Sequence, residues 1–62
     1  MRKTFDHVKI LHINANGINE VVNDVYNLTI EAAASGVLFV TYEIDGHKKE
    51  IIGKGVTLRL TL

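Results

Sequence analysis

The sequence predicts an α+β domain, one helix packed on a four-stranded, mostly antiparallel sheet in the order β-α-β-β-β. Three observations lead there. Turn signals at Asn16-Gly17, Ser35-Gly36, Asp45-Gly46 and Gly53-Lys54-Gly55 divide the chain into segments. The segments before the first signal and after the second are strand-sized and rich in Val, Ile and Leu. The 18 residues between Gly17 and Gly36 are too many for one ordinary strand and place their apolar residues at a helical spacing.

Residues 4–13 read as the first strand. Residues 18–35 read as the helix: on a 3.6-residue period Ile18, Val21, Val22, Val25, Leu28, Thr29 and Ala32 share one face, and Asn19, Glu20, Asn23, Asp24, Asn27 and Glu31 the other. Asn16 or Asn19 can cap its amino end, Glu20 and Asp24 suit the positive end of its dipole, and Ala34-Ser35-Gly36 suits its last turn. The composition argues the other way, because Val, Asn, Asp, Tyr, Thr and Ile are mediocre helix formers and residues 26–31 alternate as a strand would. If residues 25–33 are extended, with a turn at Asn23-Asp24, the chain becomes a small all-β barrel or meander.

Val37–Ile44 reads as a second strand, apolar on both faces at its start. Asp45-Gly46 is a two-residue hairpin turn into a third strand, His47–Ile52. Gly53-Lys54-Gly55 reads as another hairpin connection, after which Val56, Leu58, Leu60 and Leu62 point one way and Thr57, Arg59 and Thr61 the other. A single helix covers a single sheet face. With Leu38, Val40, Tyr42 and Ile44 turned to the helix, Leu11, Ile13, Val37 and Phe39 are left on an open apolar face, the expected self-association interface.

Composition bounds the rest. A chain of 62 residues is one domain, residues 1–62, whose apolar gain on folding nearly cancels its ordering cost. With no Cys, neither disulfides nor thiolate metal sites can supply the difference, which leaves close packing or association into a homo-oligomer. The apolar content is that of a folded chain, and the longest apolar run, residues 36–40, is far short of the roughly 18 residues that mark a membrane span. Met1-Arg2-Lys3 is followed by Asp6, His7 and Lys9 where a signal peptide has its apolar stretch, so a soluble, cytoplasmic protein without membrane association is expected.

Charge is zoned although it sums to zero. Residues 1–12 carry a net +2, residues 13–46 carry −5 without one basic residue, and residues 47–62 carry +3. The basic segment nominates Lys48, Lys49, Lys54 and Arg59, with Tyr42, as contacts for an anion or small ligand; the competing explanation is a solvated hairpin whose lysines guard a strand edge. Nucleic acid is not an expected partner, because only four residues are aromatic and the chain is not basic.

No catalytic, metal or cofactor site is predicted. His7 and His12 are five apart and on a regular strand point to opposite faces, and His47 adjoins a turn. Asp6, His7 and the single serine, Ser35, do not make a relay, since Ser35 belongs to a chain reversal. Gly53-Lys54-Gly55 lacks the other residues of a phosphate loop. Asn19, Asn23 and Asn27 form a polar row if the segment is helical, which a solvated face explains. The strand-helix-strand order resembles small tautomerases and dodecin-like flavin carriers, but those use an amino-terminal proline and a tryptophan, and this chain has neither residue.

The expectation is therefore a small non-enzymatic interaction module that self-associates through an open sheet face or an edge strand. Its alternatives are an oligomer holding a polar or anionic ligand between subunits, or a phage or mobile-element inhibitor that binds a host protein.

Overall fold

A computed structural model describes all 62 residues, Met1–Leu62, and contains no helix, so none long and apolar enough to cross a membrane. Five strands, β1 (Arg2–Ala15), β2 (Ile18–Ala32), β3 (Leu38–Ile44), β4 (His47–Gly53) and β5 (Thr57–Thr61), form one antiparallel sheet in the order β4-β3-β2-β1-β5. The α+β prediction with a helix over residues 18–35 is wrong; the all-β alternative is the fold, a meander from β1 to β4 with β5 returning beside β1, and without the turn expected at Asn23-Asp24, since β2 runs through both residues.

The reason lies in two residues. Asp24 and Asn27 sit inside β2 with φ of 54° and 50°, in the left-handed region that Asn and Asp tolerate better than other side-chain-bearing residues. Each interrupts the strict alternation of a strand, so the inward series on β2 runs Val22, Val25, Leu28, Ile30 and Ala32, with two steps of three before the steps of two resume. Steps of three are what a helical face shows in sequence. Opposite them, β1 runs Phe5, Val8, Leu11, Ile13 and Ala15, and the cross-strand register skips the Asp6 and Asn27 level and the Lys9 and Asp24 level. The two strands therefore change phase together and keep one apolar face. Against β3 only β2 carries an extra residue, between Tyr26 and Thr29, and there the Asn27 side-chain amide donates to Glu43 at 3.0 Å.

Asn16-Gly17 and Asp45-Gly46 are both two-residue hairpin turns with both residues at positive φ, flanked by the Ala15–Ile18 and Ile44–His47 pairs. This is the turn whose twist matches that of the flanking strands. The segment Gly53-Lys54-Gly55 is not a hairpin connection, because β4 and β5 lie at opposite edges of the sheet. Four chain steps from Gly53 to Thr57 span at most about 14 Å, whereas the outer strands of a flat five-stranded sheet stand about 19 Å apart. The sheet must curl to bring its edges toward each other.

Curling makes one face concave and lets a single sheet enclose its own core. Val8, Leu11, Val25, Leu28 and Val40 are fully buried, with Ile13 and Tyr42 nearly so, and Ile30, Leu38, Ile51, Leu58 and Leu60 pack around them. The radius of gyration is 10.9 Å, close to the roughly 10.6 Å expected for this length. The surface is 4338 Å², somewhat above the roughly 4,000 Å² typical for the mass.

Candidate functional site

The register assigns side chains to the convex face level by level. Near the Asn16-Gly17 turn, Val21, His12 and Arg59 lie side by side across β2, β1 and β5, and one step further Asn19, Asn14 and Thr57 do the same. These six residues line a hollow of about 350 Å³, within the range of small-molecule sites. Ile13, Glu20 and Leu58 complete its lining, but their positions alternate to the concave face, where Ile13 and Leu58 join the core.

Most side chains of the hollow can form hydrogen bonds. Asn14, Asn19, Thr57 and His12 can each donate or accept, Arg59 supplies the lining's one positive charge, and its one carboxylate, Glu20, stands at a position that alternates to the other face. Elsewhere on the convex face cations stand opposite acids, Arg2 against Glu31 and Lys48 against Glu43. Arg59 stands opposite His12, and the structure's one ion pair, between His7 and Asp24, does not involve it.

That His7–Asp24 pair sits at the two interruptions. His7 Nε2 donates to Asp24 Oδ1 at 3.1 Å and the His7 ring stacks on Tyr26 with centroids 4.8 Å apart. The expectation that His7 and His12 face opposite ways fails, because the three-residue step between Val8 and Leu11 returns both to the convex face. They remain at different levels, and no three His, Cys, Asp or Glu side chains converge on a common point.

The residues nominated from sequence are scattered by the fold. Leu11 and Ile13 are buried on the concave face, Phe39 is 41% exposed on the convex face, and Val37 lies in the β2–β3 connection, so the four share no surface. The face assignment failed because Leu11 and Ile13 lie on the same side as Val40 and Tyr42 rather than opposite them. Among the nominated anion contacts, Lys48 and Lys49 are on β4, Lys54 is in the β4–β5 connection and Tyr42 is buried; only Arg59 lines the hollow. His12, Asn14, Asn19 and Thr57 were not nominated for it, since they come from three strands and no spacing in sequence links them.

Burial raises the Tyr42 pKa, and the negative charge of Glu20 raises it further. The folded protein therefore keeps the phenolic proton at a pH where the unfolded chain releases it. Stability is expected to fall as pH rises past the ordinary tyrosine value of about 10 and to level off above the folded-state value. Urea midpoints measured through this range should decline less steeply in Tyr42→Phe, and equal slopes would remove Tyr42 as the cause.

The fold and site together define an all-β chain of one curled, open sheet with a polar-lined hollow beside Arg59, where β2, β1 and β5 lie side by side. No protein-family model, curated protein or solved structure matches the chain.

Proposed function

We propose that this protein is a non-enzymatic binding module that holds a small anionic group, a carboxylate or a phosphate, in the hollow beside Arg59. The observation that carries this reading is the arrangement of Arg59, which faces His12 instead of an acid and shares one concavity with Asn14, Asn19 and Thr57, while Glu20, the lining's one carboxylate, stands at a position that alternates to the other face. A guanidinium presents a rigid fork of donors that matches the paired oxygens of both anions. The neighbouring amides and hydroxyl add neutral donors, which orient an anion without competing for it. The reading keeps the ligand-binding alternative drawn from sequence and moves its site: of the five nominated contacts, Arg59 stays and the rest give way to His12, Asn14, Asn19 and Thr57.

Titration of the labelled protein with inorganic phosphate and with a short dicarboxylate, followed by amide chemical shifts, tests it. Saturable shifts are expected at His12, Asn14, Asn19 and Thr57. Arg59→Ala should weaken binding at least about tenfold, the loss expected for a charge-assisted hydrogen bond, and Lys48→Ala should leave it unchanged. Shifts that never saturate, or that persist equally in Arg59→Ala, would refute the reading.

A further inference from the structure

The two edges of the sheet are built differently. β4 carries Lys48, Lys49 and Glu50 in succession, and Lys49 alternates to the concave side with Ile51, so this edge has the charges, one of them inward, that keep strands from adding to it. β5 is less guarded: it carries one charge, Arg59, and that residue alternates to the convex side. Its sequence is Thr57-Leu58-Arg59-Leu60-Thr61, without Pro or Gly, and its register with β1 runs unbroken from Asn14–Thr57 to Ile10–Thr61. Its ladder partner is β1 alone, so the far side of β5 presents unpaired backbone N–H and C=O groups. Directly after it comes Leu62, 72% exposed, which continues the Leu58 and Leu60 series.

We propose that β5 pairs antiparallel with β5 of a second copy of this chain, about a two-fold axis at Leu60. A partner strand must keep leucines on the concave side, which restricts the register to pairings of like parity. An axis at Arg59 would set two guanidinium groups opposite each other, which is destabilising. An axis at Leu58 would leave Leu62 exposed beyond the paired segment. An axis at Leu60 sets Leu60 against its equivalent and Leu58 against Leu62 of the copy, and sets Arg59 against Thr61. Every leucine of the edge then meets a leucine, no like charges oppose, and the concave core continues across the axis. A second copy fits because the edge is complementary to itself in this register, as a two-fold interface requires. The pairing does not rest on anion binding.

Sedimentation velocity of the full chain across a micromolar concentration series tests the pairing, with hydrogen exchange of the β5 amides at the two ends of the series. A monomer–dimer equilibrium is expected, with exchange at residues 57–61 slowing as the dimer forms. Leu62→Lys, at a position exposed in the single chain, should raise the dimer dissociation constant at least tenfold. Ile52→Lys, on the convex face of β4, should leave it unchanged, and thermal melts of dilute samples check that both variants fold. A chain that stays monomeric throughout, leaving the edge to a strand of another protein, overturns the proposal. So does a dimer indifferent to Leu62→Lys, or one without concentration-dependent protection of β5. Either result leaves the anion titration, read on the Arg59 hollow, to stand or fall separately.

Discussion

Truncating Leu11 to alanine is expected to cost about 2–5 kcal/mol of folding stability. Leu11 is fully buried on the concave face, opposite Val22 on β2 and Leu60 on β5. It therefore ties the edge strand to the body of the sheet. The whole stability of a chain this long is only about 3–9 kcal/mol, so the substitution removes a large share of it. No second layer of structure can move in to fill the space, because one curled sheet supplies the entire core. Urea or thermal unfolding of Leu11→Ala should show a strongly lowered midpoint, and Val21→Ala, on the exposed convex face, should stay within about 0.5 kcal/mol of the parent. A small loss for Leu11→Ala would mean that Leu11 is not enclosed by the sheet.

The second large effect is expected from Asn27→Ile. By strand propensity alone the change should help, since isoleucine is a better strand former than asparagine. The structure reverses the sign. Asn27 has φ of 50°, where a β-branched side chain clashes with its own backbone at a cost of about 1–2 kcal/mol. The substitution also removes the 3.0 Å hydrogen bond to Glu43. Asn27→Gly loses the same hydrogen bond but accepts the backbone conformation, so it should lie within about 0.5 kcal/mol of the parent. Comparing the denaturation midpoints of the two variants separates backbone strain from the lost bond. A stabilised Asn27→Ile would show that the left-handed residue is absent and that β2 alternates regularly.

The same residue accounts for what was and was not legible. The Asp45-Gly46 hairpin, the strand over residues 38–44 and the one-sided leucine series of β5 were readable, because turn chemistry and period-two alternation are local signals. Residues 18–32 were not readable as a strand from periodicity alone. Val22, Val25 and Leu28 are spaced by three because Asp24 and Asn27 each interrupt the alternation, and that spacing equals a helix's. Two further signals pointed to the strand. The poor helix propensity of the segment was one, and Asn16-Gly17 was the other, since it is the same hairpin signal as Asp45-Gly46 and was read as a helix cap instead.

Of the candidate site, Arg59 was visible as a cation in a basic segment, and its neighbours were not. His12, Asn14, Asn19 and Thr57 meet it only because β1 lies between β2 and β5. The nominated interface failed for a related reason: parity orders side chains within one strand but does not say which face they share with another strand, and only the cross-strand register puts Leu11 and Ile13 on the side of Val40 and Tyr42.

By itself the sequence determined that the chain turns at Asn16-Gly17 and reverses at Asp45-Gly46, which of the later segments alternate, that no disulfide can support the fold, and that charge is zoned along the chain. These are properties of neighbouring residues, and local sterics and composition decide them. Only the tertiary structure decided that the central segment is a strand, which apolar residues form the core, and which side chains surround Arg59. Each of those depends on pairing between residues far apart in sequence, where the burial of a shared concave face outweighs the local preferences of any one segment.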